Sequence, residues 1–90
     1  MEIFENSEQA VDKLRATLAG KIPEKAIQES QYYSDHDEYA LSLELLLWGA
    51  HNCDFIMDDE QNSILKYLRD VIEIESHIDT EFHYYFKLFI

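Results

Sequence analysis

Residues 36–52 read HDEYALSLELLLWGAHN, and the spacing of this stretch decides the architecture. At about 100° per residue, Tyr39, Ala40, Leu43, Leu46, Leu47 and Ala50 fall on one broad stripe, the width of a helix face that packs into a core. Leu41, Leu45 and Trp48 form a second apolar patch roughly opposite, flanked by Asp37, Glu38 and Glu44. Two readings of that second patch stand side by side. Either the first helix of the chain or the aromatic C-terminus covers it, or Trp48 stands partly exposed as an anchor inside an acidic rim, an arrangement that binding hot spots favour.

The flanking elements follow from the same periodicity. Ala10, Val11, Leu14 and Leu18 share a face, Asn6 or Ser7 offers a cap and Gly20 a stop, which predicts a helix over 7–19. Pro23 suits a first turn, and a second helix with a thin apolar stripe is predicted over 23–32, with Ile27, Ser30 and Gln31 on adjoining turns. The run from Tyr32 to Asp37 reads as the connection to the helix at 36–52, because Ser and Asp cap and Asp tolerates left-handed backbone. Further on, Asp58-Asp59-Glu60-Gln61 is a variant capping box with extra acids at the positive end of the helix dipole. Ile64, Leu65, Leu68, Val71 and Ile72 then repeat at helical spacing and predict a helix over 59–75.

The last stretch, Phe82 to Ile90, leaves its conformation open. Phe82, Tyr85, Phe86 and Phe89 fit a helix, whereas the aromatic content suits a strand. A lone strand has no partner elsewhere in the chain, which favours a short helix or an extended tail packed on the bundle. The expected fold is therefore all-α: one domain over 1–90, a bundle of about four helices with an aromatic C-terminal segment. At 90 residues such a domain has room for one modest core, burying roughly 60 to 65% of the unfolded chain's surface.

Charge is distributed unevenly. Between Lys25 and Lys66 there is no Lys or Arg, yet this window holds nine of the nineteen acids: Glu29, Asp35, Asp37, Glu38, Glu44, Asp54, Asp58, Asp59 and Glu60. With a net charge of −12 and 47% hydrophobic residues, the chain is expected to fold while presenting a one-sign field. Such a field attracts a basic partner and speeds its capture, and it repels nucleic acid and anionic membranes. The seven Lys and Arg are spread singly, so phosphate recognition is not expected. The single cysteine, Cys53, favours a reducing compartment, and an acidic N-terminus without an apolar h-region signals neither export nor insertion. A cytoplasmic location is expected.

Chemistry is poorly supported by the residue pattern. His36-Asp37-Glu38 with His51, Cys53 and Asp54 has metal-ligand residue types but no recognised ligand spacing. His77, Asp79, Glu81 and His83 alternate and would share a face only if that segment were a strand. There is no glycine-rich phosphate loop and no nucleophile elbow, and Cys53 has acidic rather than basic neighbours. No metal, no cofactor and no enzymatic activity are expected.

Tyr33, the turn His36-Asp37-Glu38-Tyr39, the helix Leu41-Ser42-Leu43-Glu44-Leu45-Leu46 and the helix start Ile56-Met57-Asp58-Asp59-Glu60 together resemble the Maf-type immunity proteins. These are small antitoxins of bacterial polymorphic-toxin and contact-dependent growth inhibition systems. The resemblance spans Tyr32 to Ile72, with Asp37 where the family's turn has glycine and Ser42 where its helix has alanine. It implies a cognate toxin with a nuclease domain, the class that includes RNases of the EndoU type, neutralised at its active site or substrate groove. In that reading Asp35, Asp37, Glu38 and Glu44 supply charge-assisted contacts, Asp58, Asp59 and Glu60 extend the acidic rim, and Trp48 is the apolar anchor. The competing expectation is an acidic, nucleic-acid-mimicking or regulatory protein that binds a basic DNA-binding partner.

Overall fold

The computed structural model describes residues 4–86 and is all-helical there, with no strand among the described residues. Five α-helices follow in order: α1 (Ser7–Leu18), α2 (Glu24–Asp35), α3 (Tyr39–Asn52), α4 (Asp59–Val71) and the short α5 (Ile74–His77). A 3₁₀ segment, Thr80–Phe86, closes the described chain. Phe89, counted above in the aromatic stripe, lies outside the described residues. No helix among the described residues is long and apolar enough to cross a membrane.

Local chemistry sets the helix ends. The Asn6 side chain accepts from the amide of Gln9 and starts α1. Gly20, at φ +83°, supplies the left-handed residue after α1. The capping box at α4 is reciprocal: Asp58 Oδ1 accepts from the Gln61 amide and Gln61 Oε1 from the Asp58 amide, both at 2.8 Å.

Three boundaries differ from the expectation. The second helix runs on to Asp35 rather than stopping near 32, and the third begins at Tyr39 rather than 36. The connection is a Schellman turn: the Asp37 amide donates to the Ser34 carbonyl and the Glu38 amide to the Tyr33 carbonyl, with Asp37 at φ +60°. A second such turn ends α3, where the Phe55 amide donates to Ala50, the Asp54 amide to His51, and Asp54 sits at φ +54°. Aspartate thus does the work of glycine twice. The fourth helix stops at Val71, short of 75, because a helix continued from Leu68 would turn Ile74 about 120° off the core face. The break returns Ile74 and Ile78 to the interior, and the 3₁₀ segment then buries Phe82 and Phe86, which settles 80–86 as helical rather than extended.

Helix α3 is the centre of the molecule. Leu43, Leu46, Leu47 and Ala50 are buried as the stripe predicts, while Tyr39 and Ala40, near its start, are half-buried. Helix α2 presses on it closely at Gly49, where an added Cβ would lie 2.6 Å from Ala26 Cβ and 3.1 Å from Ile22 Cδ1. The resulting body measures 31 × 28 × 27 Å.

A polar knot lies inside it. Arg15 of α1 is only 7% exposed, and its Nη1 donates to the hydroxyls of Ser34 at 3.0 Å, Ser30 at 3.2 Å and Ser42 at 3.4 Å. Its Nη2 pairs with the half-exposed Asp12 carboxylate. Ser42 Oγ donates to the Ser30 carbonyl at 2.7 Å and lies 2.8 Å from both Ser30 Oγ and Ser34 Oγ. Among the described residues, every fully buried side-chain nitrogen and oxygen has a partner. The knot joins α1, α2 and α3, and through Ser34 it is why α2 extends to Asp35.

Two substitutions test this packing. Gly49→Ala gains about 1 kcal/mol of helix propensity but forces α2 away, and overpacking of that kind costs about 1–3 kcal/mol; urea unfolding should show a net loss. Arg15→Ala should lower stability by about 2–4 kcal/mol through cavity and lost hydrogen bonds. Wild-type stability in Arg15→Ala would mean that the knot contributes nothing.

Candidate functional site

Helical geometry divides the predicted site residues among three places. Asp35, Asp37 and Glu38 surround the α2–α3 turn, Glu44 and Trp48 lie on the outer side of α3, and Asp58, Asp59 and Glu60 start α4. Val71, the last residue of α4, with Ile72 and Glu73 after it, lines a groove of about 500 Å³ with Asp37, Glu38 and Leu41. Thirteen residues of α4 at about 1.5 Å each therefore put Asp58 to Glu60 roughly 20 Å from the turn. The structure does not join them into a continuous rim.

Several of these acids have internal duties. Asp35 accepts from Gln31 Nε2 at 2.9 Å. Asp58 caps α4, and Glu60 pairs with Lys13 at 3.7 Å. Glu44 Oε2 accepts from the Asp79 amide at 2.7 Å and so ties α3 to the segment before the 3₁₀ turn. Asp37 accepts from the Tyr39 hydroxyl at 2.9 Å. That bond, with partial burial and the neighbouring carboxylates of Asp37 and Glu8, pushes the Tyr39 phenol up to about 12.

Trp48 is the exception among the apolar residues of α3. It remains 39% exposed, while Leu41 and Leu45 are half-buried. The aromatic C-terminal segment reaches this side of α3 but covers it incompletely. Phe82 enters beside Leu45 and leaves a groove of about 240 Å³ between it, Trp48 and the first turns of α2. Four carboxylates line that groove, Glu29, Glu44, Asp79 and Glu81, against one ammonium, Lys25. A lone indole among carboxylates is shaped for a cationic partner group.

Sequence reasoning named Trp48 and Glu44 but missed the other three acids of this groove. Glu29 was visible only as part of the basic-free window, and Asp79 and Glu81 as half of an alternating His/Asp/Glu/His pattern. The helical course of 74–86 breaks that alternation: His83 Nε2 bonds to the Ile78 carbonyl at 2.7 Å, and no group of three or more potential metal ligands converges among the described residues. What places Glu29, Asp79 and Glu81 together is tertiary folding.

A second surface also went unnoticed. Ile56 is 84% exposed in the α3–α4 loop and shares a groove of about 280 Å³ with His51, Tyr84 and Tyr85. His51 Nδ1 bonds to the Tyr84 hydroxyl at 3.1 Å, and Tyr84 stacks on Tyr85. Burial, with the Tyr84 hydrogen bond second, pushes the Tyr85 phenol up.

No family model, curated protein or solved structure matches the chain. A functional reading rests on the molecule's own arrangement: an acidic all-α bundle with an exposed tryptophan in a carboxylate-lined groove.

The Tyr39 bond has a pH signature. A folded pKa raised above the ordinary 10 means that the bond's stabilisation is fully present below pH 10 and is lost as pH rises through about 12. In absorbance titration Tyr39 and Tyr85 should both ionise late, and Tyr39→Phe should remove the component near pH 12; an unchanged titration would place that component elsewhere.

Proposed function

We propose that this chain is an immunity protein, a cytoplasmic binding protein that neutralises a cognate basic toxin domain, an RNase of the EndoU type, by covering its active site or substrate groove. The observation that carries the reading is Trp48, 39% exposed in a groove edged by Glu29, Glu44, Asp79 and Glu81. An RNase must offer a basic, phosphate-attracting surface, and a protein of net charge −12 captures such a surface quickly. The resemblance of Tyr32 to Ile72 to the Maf-type immunity proteins supports the same class. The proposal assigns no catalytic step to the chain.

In this reading the separated acids have different roles. Glu44 and Trp48 belong to the docking groove. Asp35, Asp37 and Glu38 at one end and Asp58, Asp59 and Glu60 at the other act by long-range attraction, which alters association more than dissociation.

Co-purification with the toxin domain encoded beside it, followed by kinetics on the pair, tests the proposal. Trp48→Ala should weaken the complex at least about 30-fold, the effect of a hot-spot anchor. Asp58→Asn, Asp59→Asn and Glu60→Gln together should slow association by only a few-fold, with a steep salt dependence. Absence of binding to any basic nuclease, at low as well as physiological salt, would end the immunity reading.

A further inference from the structure

Within the Trp48 groove, one side chain already models the kind of group that fits. Lys25, on the first turn of α2, is the one base among the described residues lining it, and its ammonium lies 3.9 Å from Glu29 Oε2. The pair is loose: the Lys25 side chain is 74% exposed, so it sits at the mouth rather than filling the groove. About 240 Å³, the liquid volume of about eight waters, stays open between the indole and the carboxylates.

We propose that this groove is a receptor for a single arginine side chain of the partner protein, and that Lys25 is its resident competitor. The proposal rests on the reading that the Trp48 face is where a partner docks, and it names the partner group. The charge balance of four carboxylates against one ammonium leaves the groove strongly negative, so a cation is the complementary occupant. The flat indole beside them selects among cations. A guanidinium is planar and weakly hydrated, stacks on an aromatic face and can still donate in its own plane to carboxylates, whereas a lysine ammonium is a compact, strongly hydrated point charge. Leu45 and Phe82 line the same groove and provide apolar surface for the arginine stem. Glu44, fixed by its bond from the Asp79 amide, is held in place before the partner arrives, which lowers the ordering cost of docking. Lys25 opposes the incoming cation by like-charge repulsion and by holding Glu29.

The test uses acetylated hexa-arginine and hexalysine peptides, with the emission of Trp48, the one tryptophan of the chain, as the readout. The arginine peptide should change that emission saturably and bind several-fold more tightly than the lysine peptide. Lys25→Gln should tighten the arginine peptide by about two- to fivefold, the size of one exposed charge interaction. Lys66→Gln makes the same change in net charge away from the groove and should have little effect. Equal binding of the two peptides, a silent tryptophan, weaker binding in Lys25→Gln, or equal tightening in Lys66→Gln would each overturn the proposal. Because no toxin enters this experiment, a toxin that fails to bind while these results hold removes only the immunity reading. A toxin that binds while they fail removes only the arginine receptor.

Discussion

A guanidinium enclosed in a body this small is the constraint around which the rest is arranged. A guanidinium is a permanent charge, and an uncompensated charge inside a protein costs several kcal/mol. Its compensation comes from three helices at once: Asp12 on its own helix, Ser30 and Ser34 on α2, and Ser42 on α3. Those positions leave little freedom in how the helices pack. Ser34 must stay helical to reach the cation, which carries α2 past Tyr33 and forces the chain to reverse within residues 36–38. Ser42 sets the rotation of α3 about its axis, and with it the direction of the Glu44 and Trp48 face.

The outward side of α3 then follows from what is left to cover it. Helices α1 and α2 occupy its inner faces, and the close approach at Gly49 brings α2 in tightly. Only the segment after α5 remains for the outer side, and it arrives through Asp79 and Phe82. A backbone bond to Glu44, the His51–Tyr84 bond and the buried Phe82 and Phe86 fasten it, and Trp48 stays 39% exposed. Of the second apolar patch, Leu41 and Leu45 are therefore half-buried and Trp48 is left at the surface.

Much of this was legible from local pattern. The α4 capping box, the core stripe from Leu43 to Ala50 and the left-handed role of Asp37 each depend on residues within a few positions of one another. What could not be read depends on distance along the chain. Arg15 looks like an ordinary exposed cation at the end of an amphipathic helix until serines 15, 19 and 27 positions away are folded onto it. The apolar stripe of α2 is thin because Ser30 lies on it, and nothing local in the sequence tells that Ser34 belongs to the helix. The end of α4 was missed for a related reason: Val71 and Ile72 continue the helical spacing, and only the competing claim of Ile74, Ile78, Phe82 and Phe86 on the core interrupts it. The same cause hid most of the groove, since Glu29, Glu44 and Asp79 meet across separate elements.

The separation of the acidic clusters has a consequence for how any partner approaches. Their spacing of about 20 Å along α4 exceeds the Debye length of about 8 Å at physiological salt, and the body is nearly as wide as it is long. An approaching protein is therefore drawn inward by the net negative charge, and each cluster acts separately on the part of it that comes within about a Debye length. Orientation is left to the last few ångströms. If docking is at the Trp48 groove, as proposed, a collision complex must roll across the surface before it locks, and the fraction of encounters that succeed is governed by that groove rather than by the total charge.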